Sequence, residues 1–285
     1  MSLVVNTNVA SMNAQRSLMS SSRDLQTAME RLSTGKKINS AADDAAGFAI
    51  AESMTAQVRG LSMAAKNAGD GLSMLKVVEN ATNDVTDMLQ RIRELAVQAQ
   101  SGTNSTSDVS NLKAEAEALM AEVDRVASDT TFNGVAHLSQ PKDSATLDIQ
   151  VGYNDGDTIE LTSHSVDTTL LGTAGGTQLN SATYGAAASY LDISGAGALK
   201  VISDAIDQVS GYKAEWGAAQ NRLEYTISNL MNVVEFTTAA RSRIEDADFA
   251  VEAARLAKAQ VLQQTGTAML AQANASPQLA ISLLS

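Results

Sequence analysis

The stretch "MLKVVENATNDVTDMLQRIRELAVQA", Met74–Ala99, decides the architecture. Within it Met74, Val78, Ala81, Val85, Met88, Ile92, Leu95 and Ala99 recur at intervals of three and four, which draws one apolar seam along a helix. So narrow a seam belongs to coiled-coil packing rather than to the broad face of a globular helix. The helical pattern begins after the linker that follows Gly35 and continues to Gln100. "SGTNSTSD", residues 101–108, is then a turn, with Ser107 or Asp108 expected as the cap of a shorter helix. That helix carries Leu112, Ala116, Leu119, Val123 and Val126 on one face, and "TTFNGV" ends it.

The chain ends are written in the same style. Val4 to Thr34 contains no proline or glycine, and Leu18, Leu25 and Leu32 recur every seventh residue, with Met12 and Met29 beside them. Gly35 is expected to stop this helix. Helical spacing returns with Ile202, Ile206, Val209, Trp216, Leu223, Ile227, Leu230 and Val234, and a last helix is expected from about Ile244 to Ala273. Both terminal helices are rich in alanine, serine and glutamine. Residues 1–34 and residues 250–285 each bear one net positive charge, in a chain of net charge −12. Their apolar stripes are thin, so the pair is marginal alone in water. Leu18, Leu25, Leu32, Val251, Leu256, Leu262 and Leu270 are therefore expected to pack in a core completed by other copies of the same chain.

The middle differs. "ATLDIQVGYNDGDTIELTS", residues 145–163, alternates apolar and polar residues on both sides of "NDG", which signals a β-hairpin with a tight turn. "GTAGGTQLNSATYGAAAS", residues 172–189, is loop-like. The expected fold class is mainly α: an elongated antiparallel helical coiled-coil rod from both chain ends, with a small β-hairpin region in the middle. A helix of about 50 residues spans roughly 75 Å.

Composition removes several functions. A charge of −12 without a basic, aromatic-bearing stripe argues against nucleic acid. No apolar run approaches the roughly 20 residues of a membrane span, so no membrane insertion is expected. The absence of cysteine excludes disulfides, thiolate metal sites and a thiol nucleophile. The N-terminus has neither a basic nor an apolar signal region, so export through a Sec-type signal is not expected. "RLSTGKKINSAADDAAGFAIAESM", Arg31–Met54, superficially resembles a phosphate loop, but Glu30 stands where the first glycine belongs and Lys37 where Ser or Thr should follow. Asp43 and Asp44 are neighbours pointing about 100° apart on a helix, suited to its positive end rather than to a metal, with Asn39 or Ser40 as the cap. His137 and His164 lack partners at metal-ligand spacing, and "NDGD" lacks the later glutamate of a calcium loop. No nucleophile–base–acid set can be assembled. The chain is expected to be no enzyme and to need no cofactor.

"NTNVASMNAQRSL", the Arg31–Met54 stretch, "LQRIRELAVQAQSGTNS", "EVDRVASDTTFNGV", "IQVGYNDGDTIEL", "ARSRIEDADFAVEAARLAKAQVLQQTGTAMLAQAN" and "PQLAISLL" together resemble bacterial flagellin. The likeness covers roughly residues 1–160 and 196–285, in the family's order. It implies a structural subunit that polymerises into the helical flagellar filament for swimming motility, secreted and extracellular. It also implies a layout. Residues 1–40 and 244–285 form the two halves of an inner-core coiled coil, with the joint at 31–54. Residues 41–138 and 196–243 form the rod helices, and 139–195 the hairpin and surface-variable loops. The middle is too short for the outer domains of long flagellins. Its Ser/Thr-rich part is an O-glycosylation candidate or plain solvated loop.

The resemblance further implies export in the unfolded state through the flagellar type III apparatus, with a cytoplasmic chaperone on the C-terminal helix. Cap and hook–filament junction proteins are the implied partners at the filament. A hook–filament junction protein is the alternative reading, though it usually lacks the "DDAAG", "RIRELAVQA" and "FNG" series. In immunostimulatory members a host Toll-like receptor reads a Q-R-x-R-E-L segment and a glutamate on the next helix. Here those positions are Gln90, Arg91, Glu94, Leu95 and Glu115. Arg91 lies off the apolar stripe, and Leu95 lies on it.

Overall fold

The computed structural model describes residues 7–139, 145–172, 178–180 and 189–282. In chain order the elements are α1 (Val9–Thr34), α2 (Ala45–Ala99), α3 (Thr106–Asp129), β1 (Thr131–Phe132), β2 (Val135–Ala136), β3 (Ala145–Gln150), β4 (Thr158–Ser163), α4 (Ala198–Glu245) and α5 (Phe249–Ser282). The chain divides into two compact units, residues 1–58 with 235–285, and residues 59–234.

Unit 59–234 has a complete core. Along α2 it buries Met74, Val78, Ala81, Val85, Ile92, Leu95 and Ala99, as expected, but also Leu75, Leu89 and Ala96. Met88 is only partly buried, and Leu89 takes the central place. The buried face is therefore wider than a coiled-coil seam, because α2 meets side chains of α3, α4 and the β segments in one cluster. The same correction applies to α3, where Ala116, Met120, Val123 and Ala127 are fully buried while Leu112, Leu119 and Val126 flank them. Helix α4 runs antiparallel to α2: Leu230 packs with Leu61 and Ala64, Gln220 Nε2 donates to Glu79 Oε2 at 2.8 Å, and Lys213 Nζ donates to Asn83 Oδ1 at 2.6 Å.

Helix starts differ in detail from expectation. Ser105, not Ser107 or Asp108, caps α3; its hydroxyl accepts from the Asp108 N–H while Asp108 reaches back to the Ser105 N–H, a reciprocal capping box. Before α2, Asp44 Oδ1 accepts from the N–H groups of Ala46 and Gly47, so it takes the cap role assigned to Asn39 or Ser40. Those two residues instead donate their N–H groups to Asp43 Oδ2, and these bonds hold the Asp43 carboxyl below its usual pKa.

The β segments hold the middle of the chain to this core. β1 and β2 form a small hairpin that alternation could not signal, turning on Asn133 (φ 51) and Gly134 (φ 80), the left-handed pair such a turn requires. β3 and β4 pair antiparallel from Ala145↔Ser163 to Gln150↔Thr158. Their connection is longer than the tight turn expected at "NDG": the Val151 N–H donates to the Asp157 carbonyl at 2.8 Å, and the chain reverses beyond it. β4 buries Ile159 and Leu161, and Trp216 Nε1 donates to the Thr162 carbonyl at 3.0 Å. The buried His164 ring stacks on Tyr212 at 3.9 Å and places Nε2 2.7 Å from Glu215 Oε2. Downstream, Asp124 accepts from Thr168 N–H (2.8 Å), Thr168 hydroxyl (2.7 Å) and Tyr190 hydroxyl (3.3 Å), fastening the loop to α3. Burial raises the Asp124 carboxyl pKa, against the opposing pull of these bonds. Among the described residues no group of three metal-ligating side chains occurs, and no helix is long and apolar enough to cross a membrane.

Candidate assembly and recognition surfaces

In the unit built from both chain ends, α1 and α5 pair antiparallel. Ser21 Oγ donates to the Ala259 carbonyl at 3.2 Å, a Cβ on Gly266 would stand 3.2 Å from Leu18 Cδ1, and Arg31 Nη1 meets Glu252 Oε1 at 3.3 Å. What this pair buries is small or polar: Ser11, Ser21, Ala28, Glu252 and Ala259. The large apolar residues expected at the core are left short of cover. Leu18, Leu25, Leu32, Leu256 and Leu270 are half-buried, and Val251 and Leu262 are each 47% exposed. Met12, Met19, Met29, Val261 and Met269 are exposed as well. Fully burying one such side chain is worth about 1.5–3 kcal/mol, so much of the stabilisation these helices could gain is unrealised in a single chain.

Polar bonds do more of the fastening than the sequence suggested. Asn8 caps α1 through Oδ1, which accepts from the Ser11 N–H at 3.0 Å. Its Nδ2 donates to the Ala273 carbonyl at 2.7 Å. That carbonyl is special, because α5 does not stop at Ala273 but continues through Pro277 to Ser282. Proline has no N–H, so the helical bond from residue 277 to the carbonyl four residues back cannot form. Asn8 supplies the missing donor. Beside it, Ser11 Oγ donates to Asn274 Oδ1 at 2.7 Å.

The Arg31–Met54 stretch begins with a backbone joint. Gly35 adopts φ +71 and its N–H donates to the Arg31 carbonyl, ending α1 where expected. The chain then pairs with the α4–α5 connection: the Lys37 N–H donates to the Glu245 carbonyl at 2.7 Å, the Ala247 N–H donates to the Gly35 carbonyl at 2.9 Å, and the Lys36 ammonium pairs with the Glu245 carboxylate.

The second surface lies in the other unit. Arg91 on α2 donates through Nε and Nη2 to Glu115 Oε1 on α3, at 3.2 and 2.9 Å, and through Nη1 to Glu94 Oε2 at 3.0 Å. The two carboxylates, Glu115 foremost, raise the guanidinium pKa further. The three side chains are about half exposed or more, so the pairs add little stability; they hold a fixed charged pattern at the surface. Gln90 is exposed beside them. Leu95 is 1% exposed and belongs to the core. The structure thus gathers Arg91, Glu94 and Glu115, and separates Leu95 from them.

These two surfaces sit on a chain whose relatives are informative. Residues 5–143 match the family described as bacterial flagellin N-terminal helical region, and residues 199–284 that described as bacterial flagellin C-terminal helical region. The flagellin of Halalkalibacterium halodurans is 41% identical over 283 residues, covering 99% of this chain and 100% of the relative. That of Bacillus subtilis is 39% identical over 301 residues, with 98% and 99% covered. Flagellin A of Vibrio cholerae is 35% identical across 383 aligned positions that include the whole of both chains, so this 285-residue chain is a short form. Matched at both ends and along full-length relatives, the chain belongs to the bacterial flagellin family.

Proposed function

We propose that this filament subunit divides its labour between its two units. Residues 59–234 fold within one chain, and α1 and α5 reach full order when neighbouring copies cover them in the extracellular filament. The carrying observation is the contrast in burial: Leu75, Leu89, Ile92 and Leu223 are sealed in one unit, while Val251, Leu262 and Met269 are open to solvent in the other. Fixing a residue's backbone costs about 1–2 kcal/mol, which a thinly covered helix pair cannot offset alone. The inner-core layer is then formed by residues 1–40 and 244–285. The rod is assigned residues 41–138, 139–195 and 196–243, of which 41–58 and 235–243 lie in the unit that holds the chain ends and 59–234 make up the self-folding unit.

Export in the unfolded state through the flagellar type III apparatus, with a chaperone on α5, accords with apolar positions that remain uncovered in a single chain. Cap and hook–filament junction proteins are its partners at the filament. Limited proteolysis before and after polymerisation tests the division. In monomer, cleavage is expected first within residues 9–34 and 249–282, and polymerisation should slow it at least tenfold. Equal cleavage rates in both states would remove the proposal.

The Arg91 surface supports a second role, recognition of the monomer by a host Toll-like receptor. The observation favouring it is that Arg91, Glu94 and Glu115 form one exposed, ordered charged pattern. Arg91→Ala should weaken receptor binding by the monomer roughly tenfold, the loss of a charge-assisted pair at an interface, while the monomer melts as before. Unchanged affinity would rule the role out; Leu95 variants are uninformative, because they disturb the core.

A further inference from the structure

On the α1–α5 pair, Asp24, Arg31, Glu252, Arg255, Lys258 and Leu262 line an open notch of about 420 Å³. Its charges do not balance locally. Glu252 is 4% exposed, and its Oε1 alone serves both Arg31 Nη1 at 3.3 Å and Arg255 Nη1 at 2.8 Å. The Arg31 Nε–H is buried with no acceptor. Lys258 has no ion-pair partner among the described residues, nor has Asp24 at the rim. Three cations thus face two carboxylates, leaving unmet donor capacity and a local positive charge on a chain of net charge −12.

We infer that this notch receives a carboxylate from a second copy of the chain. The inference rests on the self-assembly described above and names a contact within it. A second copy is acidic overall and presents suitable groups: Glu30 on α1 and Glu52 on α2 are exposed and have no ion-pair partner among the described residues. A carboxylate entering the notch gains charge-assisted hydrogen bonds from Arg255 and Lys258 and replaces water there with a fixed partner. Exposed pairs are worth little, but covering by a neighbouring chain lowers the screening and strengthens this one.

Carbodiimide, which joins amines to touching carboxylates without a spacer, tests the contact on the full chain. Peptide mapping should find Lys258 linked to an acidic residue in seeded polymer and not in monomer. Lys258→Glu should raise the critical concentration for seeded growth about tenfold in 50 mM NaCl and about twofold or less in 0.5 M, as screening of a charged contact requires. Lys258→Gln should fall between. Neither should change the melting of the monomer. Polymer that cross-links at other lysines but not at Lys258 would overturn the inference, as would a Lys258→Glu effect independent of salt or absent altogether. Added phosphate that abolishes the Lys258 link without slowing growth would also overturn it, since a free ion would then fill the notch. Wild-type monomer that does not elongate on seeds would instead sink the assembly reading itself.

Discussion

Asn8→Asp should raise the critical concentration for filament growth about thirtyfold, and Pro277→Ala in the same chain should recover most of that loss. The substitution is isosteric and keeps a good helix cap, because an aspartate oxygen can still accept from the Ser11 N–H. It removes only the donor that reaches the Ala273 carbonyl. A carbonyl left unpaired under cover costs about 1–3 kcal/mol; this one is part-buried in a single chain, the proposed neighbouring copies would cover it further, and it would also face a carboxylate. A loss of about 2 kcal/mol per subunit corresponds to roughly thirtyfold in association.

Pro277→Ala restores an N–H four residues beyond Ala273, so the helix itself can satisfy that carbonyl. Seeded growth of the two single variants and the double variant closes the cycle. A penalty for Asn8→Asp that is the same with proline or alanine at 277 would show that the Asn8 amide does not replace the missing helical bond. The cycle isolates one donor, which a scan of α1 by alanine would not.

How much of this was visible in the sequence varies with the kind of signal. Alternation over residues 145–163 and threes-and-fours over 74–99 located β3, β4 and α2, because burial imposes a period on the side chains. Period alone cannot count a helix's neighbours. Leu89 and Ala96 therefore join the core outside the periodic seam, and Met88, on the seam, is only partly buried. β1 and β2 have two residues each, too few for alternation, and only the positive-φ pair Asn133–Gly134 betrays their turn.

Among the surface residues, Arg91 and Glu115 are 24 positions apart, and nothing periodic links them. The family resemblance pointed to them, and the packing of α2 and α3 joined them. The sequence gives no sign of the roles of Asn8 and Glu252, because a polar residue on an amphipathic helix looks the same whether it faces water or a partner. Pro277 carries the one signal of the Asn8 contact: a proline inside a helix leaves an orphan carbonyl that something must satisfy.

Leu89→Ala and Leu262→Ala remove the same atoms, yet they should act on different states of the protein. Leu89 is fully buried among α2, α3 and α4. Its truncation should cost about 3–4 kcal/mol, combining lost transfer energy with a cavity. For a unit of this size that lowers the melting temperature by roughly 10 °C. Trp216, the one tryptophan and 3% exposed in that same core, reports the transition by fluorescence or near-ultraviolet circular dichroism. Leu262 is 47% exposed and lies in the unit of residues 1–58 and 235–285, so its truncation does not touch the core whose melting Trp216 reports. Its truncation should leave the monomer transition within about 1 °C, yet raise the critical concentration about fivefold, matching roughly 1 kcal/mol for the half of a leucine that a neighbour would cover. A monomer destabilised alike by both variants would mean that α5 is already sealed in one chain. Unchanged growth by Leu262→Ala would mean that neighbours never reach it. Either result would break the assignment of folding to one unit and assembly to the other, since that assignment requires equal truncations to be felt before assembly in one place and only during assembly in the other.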